Sequence, residues 1–229
     1  MKGMEPQDSA SCPLCGESDQ SLYHTDKYRP YYQCGNCRLI FVPPEYHLNS
    51  EDEKAEYDLH NNDSNDSGYR EFLSRLSSPL TARMASGQKG LDFGCGPGPT
   101  LSVMMEDAGH EVDLYDPFYF PDASTLEKKY DFITSTEVIE HLQNPGKVFS
   151  SLFRMLNPGG YLGLMTKMVI DNNAFRNWHY IQDPTHICFY SRETFEYIAD
   201  RFSAEVEFIG NDVIIFTSSG IEYSSLVKF

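Results

Sequence analysis

Four cysteines stand in two close pairs, Cys12-Pro-Leu-Cys15 and Cys34-Gly-Asn-Cys37. Four thiolates at that spacing suit one tetrahedral zinc ion, and a closed four-sulfur set leaves no position open for chemistry. Cys12, Cys15, Cys34 and Cys37 are therefore expected to hold a structural zinc. A redox Cys-x-x-Cys would need a βαβ setting that neither pair has. Cys95 and Cys188 stand apart from the pairs and read as small packing residues. A second constellation is the run Leu91-Asp92-Phe93-Gly94-Cys95-Gly96-Pro97-Gly98-Pro99-Thr100. Its glycines let the backbone turn sharply and lie against a ligand, and the helix predicted to follow offers unsatisfied amides to a negative group. A dinucleotide loop would need glycine at position 99, where proline stands, so the spacing here is G-x-G-x-G. Two further groups carry acid–base side chains: Thr136-Glu137-Val138-Ile139-Glu140-His141, and Trp178-His179-Tyr180-Ile181-Gln182-Asp183-Pro184-Thr185-His186.

The elements that must position these groups follow from periodicity. Residues 1–48 read as a zinc ribbon, with strands at Tyr31–Gln33 and Leu39–Val42 closed by Pro43-Pro44. Residues 49–68, rich in Asp, Glu, Asn and Ser, read as a solvated linker. Residues 69–229 read as the main domain. Tyr69, Phe72, Leu73 and Leu76 recur at helical spacing, and the helix should end near Ser78-Pro79. After Gly87 strand and helix alternate, which predicts an α/β fold with a parallel sheet covered on both faces. Strands are expected at Lys89–Phe93, Glu111–Tyr115, Tyr130–Thr134 and Tyr161–Met165, with helices at Thr100–Ala108 and Asn144–Met155. A helix capped by Ser191 and a hairpin of Ala204–Ile209 with Val213–Thr217 complete the chain.

The glycine loop after a strand, with an acid on each side of it, resembles the first motif of the class I S-adenosylmethionine-dependent methyltransferases. Asp92 fills the position of the acid before the loop, and Asp116 that of the acid ending the next strand. The resemblance implies a Rossmann-like sheet and places the cofactor against Asp92, Gly94, Cys95, Gly96, Gly98, Asp116, Pro117 and Thr136, with Asp116 accepting from the ribose hydroxyls. Only Pro117 to Lys129 separates Asp116 from the next strand, so the family's third strand and its helix should be reduced or absent. A ribbon followed by this domain also resembles a group of bacterial proteins that act on small molecules or on sugar and envelope precursors.

Methyl transfer from a sulfonium is an in-line displacement that must also dispose of the acceptor's proton. His141 is the expected general base, oriented by Glu137 and Glu140 at the carboxyl end of a strand, where open sheets place ligands. His141 fits equally a cap on its own turn. His186 is the second candidate, and a partner for the Asp183-Pro184-Thr185 turn is its alternative role. The net charge of −16 disfavours nucleic acid, and Cys12–Cys37 holds only Lys27 and Arg29 as basic residues. The expectation is a cytoplasmic enzyme with a small-molecule acceptor, S-adenosylmethionine and structural zinc, no membrane span, and a ribbon surface open to a protein partner. The alternatives are an RNA methyltransferase that docks through its ribbon and a non-catalytic module that keeps the fold.

Overall fold

The computed structural model describes residues 11–59 and 63–220. The ribbon contains β1 (Gln20–Thr25), β2 (Pro30–Cys34) and β3 (Ile40–Phe41). It is followed by α1 (Ser50–Tyr57) and α2 (Ser67–Thr81), and then by β4 (Lys89–Phe93), α3 (Thr100–Asp107), β5 (Glu111–Tyr115) and β6 (Tyr130–Thr136). Beyond these come α4 (Pro145–Met155), β7 (Leu156–Met165), α5 (Asn172–Arg176) and β8 (Cys188–Phe189). The described chain closes with α6 (Arg192–Arg201), β9 (Glu205–Ile209) and β10 (Val213–Thr217).

Six strands form the main sheet in the order β5-β4-β6-β7-β10-β9. The first four run parallel, and β10 pairs antiparallel with both β7 and β9. This is the Rossmann-like α/β architecture. The central strands are buried on both faces, as the unbroken burial of residues 132–135 in β6 and 162–165 in β7 shows, even where β6 carries Thr134 and Ser135. The sheet ends at β5, and a single short 3-10 turn, Ala123–Glu127, spans the gap to β6. No further strand lies there among the described residues, in keeping with the brevity of the intervening sequence.

Three local expectations differ from the structure. The acidic stretch expected as a linker contains α1, whose start is capped by Asn49 accepting from the amides of Glu51 and Asp52. Acids in its first turn complement the helix dipole, and Lys54 pairs with Asp58. Its polar composition hid it because none of its residues is fully buried. The helix expected to end near Pro79 continues to Thr81. Leu73, Leu76 and Leu80 are buried on one face, and that packing outweighs the amide Pro79 lacks. Strand β7 begins at Leu156, ahead of the Asn157-Pro158-Gly159-Gly160 loop expected to precede it.

The ribbon is not an appendage. Its β3 pairs with β8, a strand from deep in the main domain, in the register Ile40↔Phe189 and Phe41↔Cys188. Tyr31, Ile40 and Phe41 join Phe175, Phe189 and Tyr190 in one buried cluster. At the start of α4, Gly146 donates its amide to Pro13 O, and a Cβ there would stand 2.3 Å from Leu14 O. The first cysteine turn therefore seats directly on the helix.

Candidate functional site

One cavity of about 800 Å³ lies over the carboxyl ends of β4, β5 and β6, where open parallel sheets bind ligands. Asp92, Gly94, Cys95, Gly96, Gly98, Asp116, Pro117, Thr136, Glu137, His141 and His186 all line it. These eleven residues come from three strand ends and from the segment before β8, so the fold brings to one place what the sequence spreads over 95 positions.

At one end, the loop from Phe93 to Thr100 turns through Gly94 (φ 76°) and Gly96 (φ 63°). Gly94 also packs so closely that a Cβ would stand 2.5 Å from Val138 Cγ2. The Asp116 carboxylate holds the loop in place: Oδ2 accepts from the Gly96 amide at 3.1 Å, and Oδ1 accepts from the amides of Phe118 and Tyr119 at 2.8 and 3.1 Å. The two amides fill Oδ1, while Oδ2 keeps a lone pair for a further donor. Asp92 lies below the loop and is almost fully buried, with Thr134 Oγ1 donating to it at 2.9 Å. Burial pushes its carboxyl up to about 7. No side chain caps the start of α3. A loop open to the cavity, an acid with spare acceptor capacity and this volume fit S-adenosylmethionine.

The other end is aromatic and acid–base in character. Glu137 leaves β6 in the left-handed region, φ 52°, a conformation costing on the order of 1 kcal/mol that its surroundings must impose. Its amide donates to Met165 O at 2.8 Å. Glu140 is wholly buried and accepts from Tyr180 Oη. Burial raises the carboxyls of both Glu137 and Glu140 well above the usual range, and the charge of Glu137 raises Glu140 further. His141 Nδ1 lies 3.2 Å from Thr185 O, and its ring meets that of His186 edge to face at 4.7 Å. His186 Nδ1 lies 2.8 Å from Tyr180 O, and burial works against protonation of this ring.

Several lining residues were not read from the sequence as site residues. Glu53 and Tyr57 of α1 and Lys167 after β7 carried no signal there, Tyr69 and Phe72 were legible only as the apolar spacing of α2, and Tyr180 only as part of the run from Trp178 to His186. The Asn49 cap with acids after it was the one readable sign of α1. Arg29 is another residue whose role only the fold reveals. It is buried, and its guanidinium donates to the carbonyls of Ile181, Asp183, Pro184 and His186 and to Tyr31 Oη. The ribbon thereby holds the segment that carries His186.

In the ribbon, Cys12 and Cys37 sulfurs lie 3.5 Å apart, as do those of Cys15 and Cys34, and all four fall within 4.8 Å of one another. A tetrahedral zinc with sulfurs at about 2.3 Å has edges of roughly 3.8 Å, so the donor set and spacing fit zinc and exclude a disulfide.

No described helix is long and apolar enough to cross a membrane. The sequence family described as a methyltransferase domain matches residues 65–207. A ubiquinone biosynthesis O-methyltransferase of Pseudomonas putida (strain W619) is 29% identical over 91 residues, covering 40% of this chain and only 39% of that protein. Its counterpart from Psychrobacter cryohalolentis is 26% identical, over 66% of this chain and 69% of the relative. Among solved structures, an O-methyltransferase family protein from Burkholderia thailandensis superposes with a TM-score of 0.51 at 14% identity, covering 77% of this chain and 62% of that one. That last likeness is one of fold.

Proposed function

This chain belongs to the methyltransferase-domain family and is an S-adenosylmethionine-dependent methyltransferase, and from that premise we propose that it methylates a hydroxyl of a small, flat molecule and carries a structural zinc in its ribbon. The observation that carries this reading is that one cavity has the glycine loop and Asp116 at one end and Glu137, His141 and His186 at the other. About 800 Å³ is near the upper end for small-molecule sites and leaves room for an acceptor beside the cofactor. Tyr57, packed against His141, and Tyr180, packed against His186, wall the acceptor side, which suits an aromatic ring. The named relatives act on oxygen, in line with a hydroxyl acceptor.

When bound, S-adenosylmethionine supplies a methyl group on a sulfonium. Asp116 would accept from its ribose hydroxyls, and Phe118 and Tyr119, in the short segment after β5, would offer ring faces to the adenine. Asp92, beneath the loop, would keep the loop's shape. At the far end the cluster of Glu137, His141 and His186 receives the acceptor's proton. In each histidine the Nδ1 proton is committed to a backbone carbonyl, so the basic lone pair of the neutral ring resides on Nε2. These residues would hold the acceptor oxygen in line with the methyl carbon and take up its proton, so that the C–O bond could form as the C–S bond broke.

Arg29 also bears on the RNA alternative. One of the two basic residues between Cys12 and Cys37 is buried against the main domain, which leaves the ribbon with little charge to offer phosphates. The test is a panel of phenols and catechols incubated with S-adenosylmethionine and read by mass spectrometry for a gain of one methyl group. His141→Asn and His186→Asn should each lower turnover by about 10²–10⁴-fold, with affinity for S-adenosylhomocysteine unchanged by calorimetry. Wild-type turnover in both variants would overturn the acid–base assignment.

A further inference from the structure

Lys167 stands just beyond β7, at the carboxyl end of the sheet and next to the strand end that carries Glu137, since Thr136 pairs with Met165. The backbone on both sides of it is pinned: the Thr166 amide donates to Asp212 O at 3.0 Å, and the Val169 amide donates to Tyr190 O at 2.8 Å. Its side chain lines the cavity, and no other lysine or arginine among the described residues does so. No carboxylate of a described residue comes within ion-pair distance of the ammonium. Instead Nζ lies 2.9 Å from His179 Nε2 and 5.5 Å from the centre of the Tyr180 ring. An ammonium can only donate, so His179 accepts through the lone pair on Nε2, and this engages one of the three N–H groups of Lys167. A charge in a part-closed, aromatic cavity is less well solvated than one at the surface and gains more from an ionic partner brought in by a ligand.

We propose that Lys167 binds a carboxylate of the acceptor, so that the molecule methylated is an aromatic hydroxy acid. This rests on the hydroxyl-methylation reading and names the acceptor's second functional group. One ammonium balances one negative charge, and Glu53, Glu137 and Asp183 on the same walls oppose a second. A phosphate monoester carries about −1.5 to −2 at neutral pH, so the singly charged carboxylate is the better match. The span suits one ring. Lys167 Nζ and the His186 ring are both neighbours of the Tyr180 ring, at 5.5 and 4.0 Å, so an acceptor laid along Tyr180 presents its carboxylate to the lysine and its hydroxyl to the histidine. Burial first, and the charge of Lys167 with it, works against protonation of His186. A carboxylate on Lys167 offsets that charge and leaves the ring readier to take the acceptor's proton.

Calorimetric titration of the full chain, saturated with S-adenosylhomocysteine, with protocatechuate and with its neutral amide tests this without turnover. The wild type should bind the acid about tenfold more tightly than the amide. Lys167→Met should bring the two within about threefold, while Lys167→Arg should keep most of the preference, because it keeps the charge. Affinity for S-adenosylhomocysteine close to that of the wild type reports that both variants are folded. Equal binding of acid and amide by the wild type, or an undiminished preference in Lys167→Met, overturns the subsite and leaves the hydroxyl acceptor standing. Tighter binding of hydroquinone monophosphate than of the acid overturns the carboxylate in favour of a phosphate ester. Binding of neither acid nor amide removes the flat hydroxyl acceptor itself, and the subsite with it.

Discussion

Arg29→Gln tests whether the ribbon is part of the catalytic scaffold. In the native chain Nη1 donates to Pro184 O at 2.9 Å, and Nη2 donates to Asp183 O at 2.8 Å and His186 O at 2.9 Å. Hydrogen bonds from a charged donor contribute about 1.5–3 kcal/mol each, and a buried carbonyl stripped of its donor costs about 1–3 kcal/mol. The three bonds share one side chain, and water can reach part of the loop once it is gone, so the sum is not additive. A loss of about 3–5 kcal/mol is expected. For a chain of this size 1 kcal/mol moves Tm by about 2–4 °C, so the variant should melt roughly 10 °C lower by circular dichroism. Arg29→Lys keeps the charge but not the fork, and should fall between the two. Turnover should drop further than S-adenosylhomocysteine affinity, because the glycine loop lies at the other end of the cavity. A Tm within about 2 °C of the wild type would refute the reasoning.

Gly94→Ala puts a side chain at φ 76° and 2.5 Å from Val138 Cγ2. The left-handed conformation alone costs about 1–2 kcal/mol, so calorimetry should show at least a tenfold loss of cofactor affinity, and an unchanged Kd would remove the loop from the cofactor site. Burial holds the Asp92 carboxyl at about 7 against 3.8 when unfolded. The native state therefore keeps a proton that the unfolded chain releases, and this group lowers stability as pH rises from about 4 to 7, by at most about 4 kcal/mol. Asp92→Asn should gain on the wild type across that window in urea unfolding, and a pH-independent difference between the two would contradict it. Removal of the proposed zinc by a thiol-reactive mercurial and a chelator should lower the melting of the whole chain in one transition, because β3 pairs with β8 and the first cysteine turn seats on α4. Unaltered melting of the main domain would show that the ribbon is dispensable.

The sequence by itself determined the kind of protein this is. Alternation of strand and helix after Gly87 is a local property of residue order, as are the spacing of Gly94, Gly96 and Gly98 and the two Cys-x-x-Cys pairs, so the α/β class, the glycine turn and the four-cysteine cluster were legible. The brevity of residues 117–129 likewise foretold a sheet that ends at β5. Helix α1 was missed because hydrophobic periodicity is the main helical signal, and a helix with no fully buried residue carries almost none. Strand β8, two residues long, falls below what a period of two can reveal.

Only the tertiary structure decided which side chains meet. Tyr180 lies 40 positions from Glu140 and Arg29 lies 157 from His186, and no local pattern encodes such pairs because they form when the chain closes long loops. The raised carboxyls of Asp92, Glu137 and Glu140 likewise exist only once neighbours from distant segments exclude water from them.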